Sequence, residues 1–215
     1  MNYPASYQDE FGEETTLIGN DGSVLEMKVR GIVFTGHMLD DWTPDCDAQG
    51  LKKQFCLLHG CLCAYRIKFD MPVVVVSFGE EMLGVLAVEL EVGQPTEKGG
   101  VNCESLQLTL AVSGVEFPAR ENQGWFDDAL NDIGDRLPEQ TYIKCCHSCA
   151  YSDYSPAGYG VFGCLACFRN CKQEYLALRG KTAYFSLTDK MAGFVQETYL
   201  CPEFVLRVPG TGYRG

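Results

Sequence analysis

Apolar and polar residues alternate along much of the first 120 residues, and this pattern predicts β-strands. The clearest cases are residues 86–92 and 106–112, where every second residue is apolar. Residues 94–100 between them contain a proline and two glycines, which favour a turn. We therefore expect two antiparallel neighbours with one face in water.

Two further strands are predicted near the N-terminus. Residues 15–18 and 23–29 flank Gly19-Asn20-Asp21-Gly22, a link whose composition favours a hairpin. Residues 32–34 are expected to continue the second strand past Gly31.

A pair of strands is also predicted in the middle of the chain. Residues 61–69 alternate as in a half-buried strand. Residues 73–78 have the apolar character of a fully buried strand, with Pro72 at the first position, where proline is tolerated.

The hydrophobic period then changes to that of a helix. Phe126, Leu130, Ile133 and Leu137 are helically spaced opposite acidic residues, and Pro138 ends the run. A second helix is expected over residues 168–178. The sequence thus predicts an α+β fold: an antiparallel, β-rich part at residues 1–138, ending in an amphipathic helix, packed with a cysteine-rich part at residues 139–215.

Charge and hydropathy limit the classes of partner. The formal net charge of −12 argues against a nucleic-acid partner, because nucleic acids are bound mainly through Lys and Arg. The longest apolar run, around residues 71–76, is too short to span a membrane, and the N-terminus does not resemble a signal peptide. We expect a cytoplasmic protein whose partner is another protein, and a basic partner would be attracted by the negative charge.

The cysteines provide the strongest chemical signal. Six of the twelve cysteines lie between Cys145 and Cys171. Cys146 and Cys149 form one Cys-x-x-Cys pair, and Cys164 and Cys167 form another, with fourteen residues between the pairs. Two such turns facing each other can supply the four sulfur ligands of a zinc ion.

The ligand set has several alternatives. Cys145, Cys171, Cys201 and His147 compete with the two pairs for four positions. The thiols could instead be small buried apolar groups, or one pair could be a redox motif at a helix N-terminus. A catalytic zinc usually has histidine or carboxylate ligands and an open position, so a surplus of cysteines favours a structural ion.

Several motifs resemble a family of uncharacterised bacterial proteins, DUF6304. The resemblance rests on the segment Cys146-x-x-Cys149-Ala-Tyr-Ser-Asp-Tyr-Ser-Pro-x-Gly158, on Phe162-Gly163, and on Cys167-Phe168-Arg169. The ending is also similar, from Cys201-Pro-Glu-Phe204 to Gly210-Thr-Gly-Tyr-Arg-Gly215. The resemblance extends over about the last half of the chain, from Gln123-Gly124-Trp125-Phe126 onward.

This resemblance implies a ligand set but no activity, since the family has no known function. The cysteines within the family-like motifs are Cys146, Cys149, Cys167 and Cys201. A zinc ion on these four would tie the C-terminal tail to the loop-and-helix unit that carries the other three.

The function expected from these features is non-enzymatic. Only three histidines occur, and there is no serine-centred elbow, Walker loop or dinucleotide-binding glycine motif. We expect a protein-binding module with a structural zinc ion; toxin-neutralising immunity proteins are one class that fits its size and charge. The alternative is a metal-dependent or thiol enzyme with its site at the Tyr151–Gly163 loop.

Overall fold

The computed structural model describes residues 1–120, 125–158 and 160–213, and the fold is α+β with mostly β-structure. The strands are β1 (Asn2–Asp9), β2 (Gly12–Asn20), β3 (Leu25–Val29), β4 (Ile32–Gly36), β5 (Thr43–Pro44), β6 (Leu57–Leu58), β7 (Cys61–Leu62), β8 (Tyr65–Ser77), β9 (Glu80–Val92), β10 (Glu104–Val112), β11 (Val115–Pro118), β12 (Thr141–Ile143), β13 (Ser152–Tyr154), β14 (Leu165–Cys167) and β15 (Gly193–Val195). The helices are α1 (Phe126–Gly134), α2 (Lys172–Leu176) and α3 (Lys181–Phe185).

A ten-stranded antiparallel sheet forms the body of the protein. Its strand order is β11-β10-β9-β8-β1-β2-β3-β4-β5, and β12 also pairs with β8. A separate three-stranded sheet has the order β13-β14-β15, and β6 and β7 form a small hairpin. The predicted antiparallel strands at residues 86–92 and 106–112 are confirmed as neighbours, with Leu86 opposite Leu110.

The alternation along these strands places one face of the large sheet in the main core. Every second residue of β8 from Tyr65 to Val75 is buried, as are the matching residues of β9 and β10. Trp42, helix α1 and Phe162 contribute to the same core. Burial of this apolar face is the main stabilising contribution that the sequence pattern encodes.

The chain reverses after β3, so the prediction that residues 32–34 continue that strand is wrong. Arg30 and Gly31 both have positive φ, at 48° and 82°. Two consecutive residues of this kind form the tight turn that suits a two-residue hairpin. β4 therefore returns antiparallel to β3, with Val29 opposite Ile32.

The two strands predicted on either side of Pro72 are one continuous strand, β8. On one edge β8 pairs along its whole length with β9. On the other edge, residues 65–69 pair with β1 and residues 75–77 pair with β12. Pro72 lies in the gap between these two ladders, where no strand needs the N–H that proline lacks.

Helix α1 confirms the predicted amphipathic helix, although it ends at Gly134 rather than at residue 137. Asp132, expected on the water-facing side, is buried. Its carboxylate accepts the backbone N–H of Arg120 at 2.8 Å and an N–H of the Arg136 guanidinium at 2.7 Å. These donors compensate for the loss of water around the charge.

The C-terminal part contains a sheet as well as loops and short helices. The sequence predicted only loops and a helix here and missed β13, β14 and β15. These strands have only three residues each, so they are too short to show an alternating pattern. The helix expected over residues 168–178 is a 3-10 turn, Arg169–Cys171, followed by α2. β12 lies beyond residue 138 yet joins the large sheet. In the described part of the chain no helix has the length and apolar character needed to cross a membrane.

Candidate metal centre

Cys145 and Cys146 are consecutive but enter different apolar clusters. The 3-10 turn Cys146–Ser148 follows Cys145, whose backbone is extended. The Cys145 thiol is part of the main core, whereas Cys146 packs with Tyr154, Leu165 and Cys201. The turn is closed by the Cys149 N–H, which donates to the Cys146 carbonyl at 3.1 Å.

The C-terminal tail wraps around this turn through backbone hydrogen bonds. Cys146 N–H donates to the Tyr199 carbonyl at 2.8 Å, and His147 N–H donates to the Glu197 carbonyl at 2.9 Å. On the other side, Ala150 N–H donates to the Val205 carbonyl at 2.7 Å. These bonds hold the segment that contains Cys201 against the Cys-x-x-Cys turn.

Strand β14 positions Cys167 on the side of Cys146 and Cys201. Ser152 lies opposite Cys167 in the pairing of β13 with β14. Side chains alternate between the two faces of a strand. Leu165 belongs to the cluster of Cys146 and Cys201, whereas Ala166 belongs to a different one. Cys167, two residues after Leu165, shares its face.

The four thiols of Cys146, Cys149, Cys167 and Cys201, called the thiol cluster below, are buried. Their residues are 2%, 6%, 6% and 6% exposed. Burial raises the pKa of Cys146, and the negative charges of the other three members raise it further. Burial also raises the pKa of Cys167, where Cys149 and Cys201 add to the effect. The four groups are therefore close enough to interact electrostatically.

Several hydrogen-bond donors point at the sulfur atoms of the cluster. The backbone N–H of Arg169 donates to Cys167, which lowers the pKa of that thiol against the larger effect of burial. The backbone N–H of Glu203 lies 3.4 Å from Cys201 Sγ, and the Arg169 guanidinium lies 3.9 Å from the same atom. N–H groups that donate to sulfur stabilise the thiolate form, which is the form that binds metals.

The donor chemistry fits zinc, whereas the spacing of the side chains is not that of an assembled site. Within residues 1–120, 125–158 and 160–213, no group of three or more His, Cys, Asp or Glu side chains is arranged to hold a metal ion. Four thiolates are the ligand set of a closed zinc site with Zn–S bonds of about 2.3 Å. Zinc binding by the thiol cluster stays a prediction.

The competing candidates make other contacts as well. Besides the larger effect of burial, Cys145 is close enough to raise the pKa of Cys146, and Cys167 is close enough to raise that of Cys171. Cys171 is in the cluster of Phe168 and Tyr175. Cys164 accepts the Gly160 N–H at 3.2 Å, and its thiol donates to Met38 Sδ at 3.4 Å. His147 lines a cavity beside α1 and β12. The local double pair is not brought together, because Cys164 precedes β14 and lies away from the face that carries Cys167.

Two polar residues near the cluster, Arg207 and Glu197, belong to no sequence motif that would have identified them. Arg207 donates to the carbonyls of Cys149 and Ser152. Glu197 is fully buried; its carboxylate accepts the Gly163 N–H at 2.7 Å and the Tyr154 hydroxyl at 3.0 Å. Burial raises the pKa of Glu197 to about 7. Single Arg and Glu residues are common in surface loops, so only the fold identifies these.

Comparison with known proteins gives a family and no function. Residues 1–152 match the model of a family of unknown function (DUF6304), and the chain belongs to that family. No curated protein and no solved structure matches. The family expected from the sequence is confirmed, but the match covers the N-terminal part rather than the expected last half, so Cys167 and Cys201 lie outside it. Of the residues expected to carry the resemblance, Gln123, Gly124, Arg214 and Gly215 lie outside the described residues, as does Tyr159 of the Tyr151–Gly163 loop.

Proposed function

We propose that this member of the DUF6304 family is a non-enzymatic, protein-binding module whose C-terminal part is held by a structural zinc ion. The thiol cluster supplies the ligands. The observation that carries the proposal is that Cys146 lies within electrostatic range of three further buried cysteines, and that the four come from three separate stretches of chain: the turn at Cys146–Ser148 with Cys149, strand β14, and the tail.

The composition of the cluster favours a structural ion over a catalytic one. All four proposed ligands are thiols, and each residue is at most 6% exposed. A catalytic zinc keeps one position open for water or substrate, which a fully buried set of four thiolates does not provide. Zinc bound here would link the tail to the turn and to β14, so its binding energy would contribute to folding.

Charge balance around the cluster supports the same assignment. Four thiolates on one Zn²⁺ carry a net charge of −2, which is costly to bury. The Arg169 guanidinium beside Cys201 supplies a positive charge, and Lys172 lies near, paired with Glu203 at 2.6 Å. Groups that surround metal ligands in this way commonly tune metal affinity.

The surface of the large sheet supports a protein partner. Leu83 and Val85 on the outer face of β9 are 71% and 37% exposed. Their partners on β8 are Val74 and Pro72, so four apolar side chains are adjacent on that face. Apolar groups clustered in this way favour contact with another protein, and the net charge of −12 favours a basic one.

The alternative, a metal-dependent or thiol enzyme with its site at the Tyr151–Gly163 loop, has weaker support. Cys164, which directly follows that loop, is a half-buried thiol. Burial raises its pKa, and its S–H donates to Met38. A thiol with a raised pKa is mostly protonated at neutral pH and is therefore a poor nucleophile.

Zinc analysis combined with chelation distinguishes the two functions. The chain is purified without a metal-binding tag, its zinc content is measured, and it is then exposed to EDTA or azide below its unfolding temperature. We expect one zinc ion per chain that EDTA removes only as the protein unfolds, with no azide binding. Zinc that binds azide, or that EDTA removes reversibly from folded protein, would favour the metal enzyme and contradict the proposal.

A further inference from the structure

Two thiols outside the thiol cluster are in direct contact. Cys56 and Cys63 flank the small hairpin of β6 and β7, and both are free cysteines. The S–H group of Cys63 donates to Cys56 Sγ, with 3.1 Å between the two sulfur atoms. A disulfide bond is about 2.05 Å long, so the two atoms need to approach by only about 1 Å to form one.

The turn of the hairpin places the two cysteines opposite each other. His59 and Gly60 have positive φ, at 53° and 92°, which is the backbone of a tight two-residue hairpin turn. The register of β6 with β7, continued by one residue, pairs Cys56 with Cys63, and the Cys63 N–H donates to the Cys56 carbonyl at 3.0 Å. Residues directly opposite on antiparallel strands have Cα atoms about 4.5–5.5 Å apart, which is within the range that disulfides span.

The main core holds both ends of the hairpin in place. Phe55, one residue before the first cysteine, is 1% exposed, and its ring meets the edge of the Phe34 ring at 5.0 Å between centroids. Leu62, one residue before the second cysteine, donates its N–H to the Trp42 carbonyl at 2.9 Å. All four residues belong to the main core. The contact between the two sulfur atoms is therefore fixed by the fold.

The two thiols differ in their access to solvent. Cys56 is partly exposed, and its sulfur lies 4.0 Å from the side-chain oxygen of Gln94, an exposed residue. Cys63 is 2% exposed. Burial raises the pKa of Cys63 to about 12, and the hydrogen bond to Cys56 and the charges of Cys56 and Cys61 add to this effect. A dissolved reagent therefore meets Cys56 first, while Cys63 is held beside it as a protonated second thiol.

We propose that Cys56 and Cys63 form a reversible thiol–disulfide site that is oxidised by small-molecule disulfides of the glutathione type. In the first step the Cys56 thiolate attacks one sulfur of the small disulfide, which breaks its S–S bond, releases one thiolate and leaves a mixed disulfide on Cys56. In the second step Cys63 gives its proton to solvent and attacks the Cys56 sulfur, which forms the Cys56–Cys63 bond and releases the second thiolate. Two cysteine thiols are thus oxidised, and one small disulfide is reduced to two thiols.

The first step makes the second one easier. The Cys56 sulfur carries no charge in the mixed disulfide, so one of the causes that raise the pKa of Cys63 is lost. The second step is also intramolecular, which favours it over a reaction with a dissolved thiol at low concentration. The expected product is therefore the internal disulfide rather than the mixed one.

Cys61 is the competing partner for Cys63. The two are separated by one residue on an extended segment and therefore face the same side. Such neighbours have Cα atoms about 6.4–6.8 Å apart, at the upper end of the range for disulfides. The Cys61 sulfur lies 3.7 Å from the Thr43 hydroxyl oxygen. The geometry thus favours Cys56 as the partner, and Cys61 provides the matched control.

Differential alkylation of the full chain tests the site. The protein is equilibrated in glutathione buffers with an increasing oxidised fraction and transferred to urea with N-ethylmaleimide, which labels every remaining thiol, buried or exposed. Disulfides are then reduced and the thiols they release are labelled with iodoacetamide. Trypsin releases residues 54–66, which contain all three cysteines, and fragmentation in the mass spectrometer assigns each label. We expect Cys56 and Cys63 to acquire iodoacetamide to the same extent at every buffer ratio, while Cys61 keeps N-ethylmaleimide.

Two variants separate the steps. Cys63→Ser blocks the second step, so the mixed disulfide with glutathione should accumulate on Cys56, where mass spectrometry before reduction detects it. Cys61→Ser should leave the oxidation of the pair unchanged. Unequal labelling of Cys56 and Cys63 in the native chain, retention of N-ethylmaleimide by both in the most oxidising buffer, or a disulfide that includes Cys61 would overturn the proposal, even if Cys63→Ser fails to fold.

Discussion

Cys167 and Cys201 receive hydrogen bonds from the same residue, Arg169. Its backbone N–H donates to the Cys167 thiol, and its guanidinium approaches Cys201 Sγ to 3.9 Å. The tail and β14 are thus joined at one point by groups that stabilise thiolates. This relationship is the basis of the first prediction.

Replacement of Arg169 by Ala should weaken zinc binding by about tenfold, because the positive charge beside the thiolates is lost while the backbone N–H remains. The zinc affinity of Arg169→Lys should lie between those of the native chain and Arg169→Ala, since lysine keeps the positive charge but lacks the planar guanidinium group. The measurement is competition with a chromogenic chelator.

Arg179→Ala is the matched control, because the Arg179 guanidinium donates to the carbonyls of Leu176 and Leu178. Equal zinc affinity in the Arg169→Ala and Arg179→Ala variants would show that Arg169 does not act on the metal.

The pKa of Glu197 predicts a pH dependence of stability. Burial raises this pKa from 4.5 to about 7. The folded state therefore holds a proton between these values that the unfolded state has released, so stability falls as pH rises through this window. The loss is about 3 kcal/mol at 1.36 kcal/mol per pH unit.

Glu197→Gln cannot titrate and should lack this component. Urea unfolding of both proteins at pH 5 and pH 8 measures it, and zinc-linked effects common to both proteins cancel in the comparison. The native chain should lose more stability than Glu197→Gln between the two pH values. An equal change in both would show that the Glu197 pKa is not raised.

The ion pair of Arg30 with Asp9 should stabilise the large sheet independently of metal. The Asp9 side chain is 1% exposed, and the two guanidinium N–H groups donate to it at 2.6 and 2.7 Å. Arg30→Met removes the positive charge that pairs with this buried carboxylate and leaves it the Tyr7 hydroxyl and the Phe11 N–H as donors, so the free energy of unfolding should fall by about 3 kcal/mol.

An exposed pair on the same sheet gives the comparison. Lys68 pairs with Glu89 at 2.9 Å with side chains 53% and 38% exposed, so Lys68→Met should cost less than about 1 kcal/mol. Zinc content should be unchanged in both variants. Similar unfolding free energies for Arg30→Met and Lys68→Met would refute the role of the buried pair.

Elements whose partners are encoded locally were predictable from the sequence. β9, β10 and α1 have clear periods, and their burial follows these periods. β1 was not predicted, although Tyr3, Ala5 and Tyr7 alternate inward. Its place between β2 and β8 depends on a pairing with β8 some sixty residues away, which no local pattern encodes.

The cysteine pattern illustrates the same limit. The second Cys-x-x-Cys pair resembles a zinc-binding turn in sequence, yet Cys167 ends strand β14 and Cys164 precedes it. On an extended segment, residues three apart point to opposite faces. The spacing alone therefore could not separate Cys164 from the thiol cluster, and it could not place Cys201 beside Cys146.

The most direct test of the structural zinc ion is the metal content of three proteins purified without a metal-binding tag: the native chain, Cys201→Ser and Cys164→Ser. Mass spectrometry of the metals should find one zinc per chain in the native protein and in Cys164→Ser, and little in Cys201→Ser. Loss of zinc from Cys164→Ser with retention in Cys201→Ser would contradict the proposed ligands. An absence of metal from the native chain would contradict the zinc site itself.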